Sequence, residues 1–220
     1  DSLLPEERDV ARTATVVGDE FYASDVRPLV GEQELNVDEN LAGLAEARLT
    51  QLLEAGADPH YTFHHGLLRE MIYSSLPFGR RRALHAAVAG LLEAHGTRDP
   101  AAGGQGLAAY AELLSYHYAR AGESVSAAFY QILSGHKDRQ RYAYAQAASA
   151  YRRASESLAE FPPEAAGEEV RVLRAQAQEG LGDMALLAGN HCAAAEAYGA
   201  ARVVLLGQDV VEYDWPRLLL

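Results

Sequence analysis

Leu181-Gly182-Asp183-Met184-Ala185-Leu186-Leu187-Ala188-Gly189-Asn190-His191-Cys192-Ala193-Ala194-Ala195-Glu196-Ala197-Tyr198-Gly199-Ala200-Ala201 is the stretch on which the fold turns. Apolar residues recur at helical spacing on both sides of Gly189-Asn190, through Val170, Leu173, Ala177, Leu181 and Met184, then through Ala194, Tyr198, Ala201 and Leu205. The spacing predicts two helices joined by a short turn. Gly182, Ala194, Tyr198 and Ala201 follow the pattern G-x11-A-x3-Y-x2-A, and Gly135, Ala147, Tyr151 and Ala154 follow the same pattern. Alanine is frequent in this chain, but glycine (19) and tyrosine (12) are not frequent enough among 220 residues to make such a second match routine. An internal repeat follows, with small residues where two helices approach and an aromatic ring to fill the gap.

That spacing resembles the tetratricopeptide repeat, a pair of antiparallel helices whose stacking builds a curved surface for a protein partner. The offset between copies is 182 − 135 = 47 residues, against about 34 in that family, so the surplus is expected around residues 160–167. A third, poorer match runs from Leu114 through Gly122 to Ala127. Working backward, stripes at Leu84/Val88/Leu91/Leu92, Leu107/Tyr110/Leu114/Tyr118, Val125/Phe129/Ile132/Leu133 and Tyr144/Ala147/Tyr151/Ala154/Leu158 predict helices throughout residues 77–220, interrupted by a loop at 97–106 and stopped at Pro162-Pro163.

Residues 1–76 have a different character. They hold 15 acidic and 5 basic side chains, net −10 of the chain's −12. Pro5-Glu6-Glu7 marks a helix start and Gly18-Asp19 its end. Ser24 is expected to cap a short helix, ended by Gly31. Asn36 with Glu39 forms a capping box for a third helix, striped by Leu41, Leu44, Leu49, Leu52 and Leu53 and closing at Gly56. Pro59 to His64 alternates and is rich in aromatic and β-branched types, the one strand signal in the chain. Three helices followed by a strand read as a small winged-helix domain. The expected fold class is therefore mainly α: a winged-helix domain over 1–76 and a tetratricopeptide-like helical array over 77–220.

Composition excludes several classes. A hydrophobic fraction of 49% is too high for a disordered acidic tail. One cysteine, Cys192, rules out a disulfide framework and fits a reducing, cytoplasmic setting, where it is expected to pack as a small residue. The acidity argues against nucleic acid or anionic lipid as partner, and no run of residues is apolar enough to span a membrane. The start lacks Met and a leader pattern, and Trp215-Pro216-Arg217-Leu218-Leu219-Leu220 is an apolar tail with nothing to cover it, so a segment of a longer protein is expected.

Two further blocks, Phe63-His64-His65-Gly66-Leu67-Leu68-Arg69-Glu70-Met71-Ile72-Tyr73 and Arg80-Arg81-Arg82-Ala83-Leu84-His85, together with the opening Leu-Pro-Glu-Glu and Val17-Gly18-Asp19-Glu20-Phe21, resemble the region after the nucleotide-binding core of STAND-type signalling ATPases. These are the large regulators with LuxR-type output and the ATPases attached to adenylate/guanylate cyclases. The resemblance implies the order ATPase, winged helix, repeats; a role in signal transduction and transcription regulation; and a protein partner or the adjacent ATPase domain as contact. It also places His65 at the His of a Met-His-Asp-Leu-Leu-type motif that senses the ADP β-phosphate, with Gly66 in place of the acid. The alternative is that His65 caps or packs at the strand–helix junction. ATP or ADP would then belong to the parent protein and no cofactor to this segment. Adjacent strand residues point to opposite faces, so His64 and His65 are not expected to share a metal ion.

No G-x4-G-K-[ST], G-x-S-x-G or Cys–His nucleophile pattern occurs, so no catalysis is expected of the chain itself. Arg80-Arg81-Arg82 is expected to form a solvated helix-start face. A DNA-binding winged-helix regulator with a helical dimerisation region is the competing reading, disfavoured by Asp38, Glu39 and Glu46 against Arg48 alone over residues 37–53.

Overall fold

A computed structural model describes residues 3–30, 36–98, 106–162 and 166–206. Among them are ten α-helices and one three-stranded antiparallel sheet. Gly31, Pro163, the middle of the 97–106 loop and the tail from Trp215 lie outside the described residues. No described helix is long and apolar enough to cross a membrane. The chain divides into two compact units, residues 1–94 with 120–122, and residues 95–119 with 123–220.

In the first unit, α1 (Pro5–Val17) starts where proline and two acids predict, with the Glu7 carboxylate accepting the Leu4 N–H at 2.8 Å. β1 (Glu20–Tyr22) leads into α2 (Ala23–Val26) and a 3₁₀ turn (Arg27–Leu29). Ser24 does not cap this helix. Its N–H and hydroxyl both donate to the Asp58 carboxylate, at 2.8 and 2.7 Å. α3 (Val37–Glu46) is capped by Asn36 Oδ1, which accepts the Glu39 N–H at 3.3 Å.

The helix expected to run to Gly56 stops ten residues sooner. Arg48 enters the left-handed region (φ 58°) and the Leu49 N–H turns back to the Leu44 carbonyl at 3.0 Å. Thr50–Glu54 is then a strand, β2. The predicted strand is β3 (His60–Phe63), and it has partners on both sides, in the order β1-β3-β2. Phe21 pairs with Tyr61 and Thr50 with Phe63. Leu52 and Leu53, expected on a helix face, lie exposed on β2. Val10, Ala14, Phe21, Val26, Leu41, Leu44, Tyr61 and Phe63 form the core over which the helices close.

α4 (Gly66–Ser74) follows β3, and α5 (Phe78–Arg98) follows it. Leu84 and Val88 of α5 pack with Val16, Leu29, Tyr73 and Leu76. The first compact unit thus extends past residue 77, into α5. Arg81 and Arg82 are not simply solvated. Arg81 sits over the Tyr73 ring and donates to the Leu76 carbonyl at 3.1 Å, while Arg82 donates to the Ala121 carbonyl at 2.6 Å.

α6 (Gly106–Ala121), α7 (Ser124–Gln140), α8 (Tyr144–Ser157), α9 (Glu168–Leu187) and α10 (His191–Leu206) complete the chain. α8 ends at Ser157, ahead of the prolines expected to stop it. The turns of α7–α8 and α9–α10 match bond for bond at the 47-residue offset. Ala143 N–H donates to Asp138 O and Asn190 N–H to Ala185 O, both at 2.9 Å; Ala147 N–H donates to Ala143 O and Ala194 N–H to Asn190 O, both at 3.0 Å. Tyr142 (φ 62°) and Gly189 (φ 75°) hold the same left-handed position. The α6–α7 turn repeats it a third time, with Gly122 at φ 78° and the Glu123 N–H donating to Tyr118 O at 2.9 Å.

Candidate functional site

His65 lies two residues past the end of β3 and is the N-cap of α4, in extended conformation (φ −139°, ψ 122°). Its carbonyl accepts the N–H groups of Leu68 and Arg69, at 3.0 and 3.1 Å, but its ring makes no cap hydrogen bond. The ring is exposed and stacks on His64, with centroids 4.6 Å apart and planes 6° from parallel. The expectation that the two rings point to opposite faces fails here. β3 ends at Phe63, so strand alternation no longer governs the pair. Among the described residues no group of three or more His, Cys, Asp or Glu side chains is placed to hold a metal ion.

Arg69 anchors this junction. Its guanidinium pairs with Asp19 at 2.9 Å and donates to the Thr15 carbonyl at 2.9 Å, fastening α4 to the end of α1. The opposite side of α4 is left bare, with Leu67 77% and Met71 64% exposed.

The repeat positions occupy the second unit. An ideal Cβ on Gly135 would lie 2.7 Å from the Tyr151 ring, and one on Gly182 would lie 2.7 Å from the Tyr198 ring. Each copy thus brings its own glycine against its own tyrosine. Ala147, Ala154, Ala194 and Ala201 are all buried beside them. Tyr151 is clamped on a second side by Gly180, at 2.6 Å from an ideal Cβ. Cys192 does not pack as expected; it is exposed in the first turn of α10.

Sequence reasoning missed a polar cluster around these tyrosines. Asp183, next to Gly182, is buried, accepts the Tyr198 hydroxyl at 2.7 Å and pairs with Arg139. Burial and Asp183 push the Tyr198 hydroxyl up to about 12, and burial pushes Tyr151 up to about 12. One turn before Asp183, Glu179 is buried with Oε1 unbonded among the described residues, and burial raises its pKa, with Asp183 adding to the effect. His136 meets the Tyr151 ring edge-on at 5.6 Å, and burial lowers its pKa. The signal was the acid directly after a packing glycine, which composition arguments pass over. The arrangement locks helices together; no nucleophile–base pair is among these contacts. No family model, curated protein or solved structure matches the chain.

Proposed function

We propose that this chain is a regulatory, protein-interacting segment of a multidomain signalling ATPase, in which a winged helix relays nucleotide state and a tetratricopeptide-like array engages a partner. The observation that carries it is an exposed His65 heading α4, directly after a sheet reached in the order α1-β1-α2-α3-β2-β3. An imidazole with no cap hydrogen bond, at the start of a nine-residue helix, suits a phosphate contact in kind. Gly66 supplies no capping acid, and the chain has no phosphate loop, so ADP would be held chiefly by the adjacent ATPase domain, with His65 as one donor to it. The bare Leu67 and Met71 beside it suit the same neighbour. The twice-repeated turn and glycine–tyrosine contact support the repeat reading of α7–α10. By this reading the segment performs no catalysis of its own.

The DNA-binding reading finds less support, because α3 carries Asp38, Glu39 and Glu46 and no Lys or Arg, and phosphate contact needs the opposite charge. Two experiments test the proposal. His65→Ala in the intact parent protein is expected to release ADP faster, and unchanged retention would refute the sensor role. In a gel shift at low salt the segment is expected to leave a DNA duplex free; a clear shift would favour the alternative.

A further inference from the structure

Two carboxylates stand on one face of α9, and only one of them is answered. Glu179 and Asp183 are four residues apart, so they lie one above the other along the helix. Both are buried, at 9% and 6% exposed. Asp183 uses both oxygens: one accepts the Tyr198 hydroxyl at 2.7 Å and the other pairs with Arg139. Glu179 Oε1 is shut off from solvent and has no hydrogen-bond partner among the described residues. Burial, Asp183 and then Glu179 raise the Tyr198 hydroxyl, which places Glu179 against α10.

The charges around Glu179 leave it unmatched. On α7, Arg139 is committed to Asp183, Lys137 donates to the Ala109 carbonyl at 3.3 Å, and Asp138 is a further acid. His136 lies against the Tyr151 ring, where burial and Arg139 hold it toward the neutral form. α8 presents the buried Tyr151 hydroxyl, also without a partner among the described residues, while Arg152, Arg153 and Glu156 are exposed. α10 presents Tyr198, engaged by Asp183, and the exposed His191, Glu196 and Arg202. On α9 itself, Arg174 is turned to the end of α8, donating to the Leu158 carbonyl. A charged Glu179 would be a buried anion with no counter-ion, beside a second anion that the helix interface does not screen. One proton removes that cost.

We propose that Glu179 is a proton latch on the α9–α10 hairpin: neutral, it lets α10 close on α9; ionised, it loosens α10 from the Asp183–Arg139 anchor. Burial, with Asp183 adding to it, raises Glu179 from its ordinary value of 4.5, so an opened hairpin releases this proton before a closed one does. The latch is therefore fully set below about pH 4.5 and is lost as the pH climbs through the value in the closed array. It acts in the opposite direction to His136, which weakens the same array in acid. The proposal needs only the α7–α10 stack and stands apart from the ATPase reading.

Amide exchange in α10, followed by mass spectrometry in the 220-residue chain and in Glu179→Gln, tests it. At each pH the rate in the unmodified chain is divided by the rate in the variant, which cancels the intrinsic chemistry and the histidine contributions. The ratio is expected to be lowest near pH 4.5, to rise by up to about tenfold per pH unit as Glu179 ionises, and then to level off. The same ratio for α5, in the first unit, is expected to stay flat. Should Glu179→Gln lose helical circular dichroism, Glu179→Met, apolar and of similar length, takes its place. An α10 ratio that is constant or falls between about pH 4.5 and pH 9 overturns the proposal. So does an equal rise in α5, which would make the effect one of the whole chain and not of the hairpin.

Discussion

In the first unit, the space between helices and sheet is filled by large side chains, whereas in the α7–α10 hairpins it is closed by bringing backbones together. Phe21 lies against Tyr61 and Phe63, with ring centroids 6.0 and 5.6 Å away, over Leu41 and Leu44. In the hairpins Ala147, Ala150, Ala154 and Ala177 are wholly buried, and one ring, Tyr151, is wedged between Gly135 and Gly180. The first arrangement is sensitive to removed volume and the second to added volume, because both interiors are already close-packed. Alanine excess in the repeat region is therefore a packing device, and the acidic surplus of residues 1–76 stays outside the core that Phe21 anchors.

The largest effect expected from this contrast is at Phe21, which is 1% exposed. Phe21→Ala should cost about 3–5 kcal/mol, read as accelerated amide exchange in β3 and a lower urea midpoint for the first unit. A loss under about 1 kcal/mol would mean that the sheet does not depend on volume in this way.

Acid should next single out the second unit. His117 is 2% exposed, and burial lowers its pKa from 6.5 to about 4. The unfolded chain takes up this proton near pH 6.5 while the folded chain stays neutral until about pH 4. The stability is therefore complete above about pH 6.5 and is lost as the pH falls toward 4, by up to about 3 kcal/mol. His136 is shifted the same way, by burial and then by Arg139. Unfolding free energies between pH 7.5 and 4.5 should show the decline, and His117→Gln should flatten it. A slope unchanged in that variant would shift the cause elsewhere.

The same contrast explains what could be read in advance. The hairpins were legible because glycine, alanine and tyrosine at fixed spacing encode close approach directly, and the left-handed turn recurs with them. The sheet was half legible. β3 alternates, but β1 has three residues, too few to display a period, and β2 carries Leu52 and Leu53 at helical spacing from Leu49. Only the left-handed Arg48, a backbone feature with no residue signature, separates α3 from β2. His65 was located but its ring direction was misread, since the strand ended one residue before His64. The Arg139–Asp183–Tyr198 links join α7, α9 and α10, and such long-range pairs are visible only once the helices are stacked.

The smallest effect is also the sharpest comparison, because it sets the same substitution against two glycines in two helices. At Gly135 an added methyl meets the buried Tyr151 ring at 2.7 Å, a ring that Gly180 blocks from retreating. Gly135→Ala should therefore cost about 1–3 kcal/mol despite alanine's better helix propensity. At Gly199 in α10 an added methyl has nothing within 4 Å, so propensity alone acts and Gly199→Ala should gain up to about 1 kcal/mol. Thermal midpoints moving in opposite directions would tie the difference to the ring and not to glycine as such. If both substitutions stabilised, Tyr151 would be free to move aside, and the close approach of α7, α8 and α9 would no longer account for the alanine-rich core.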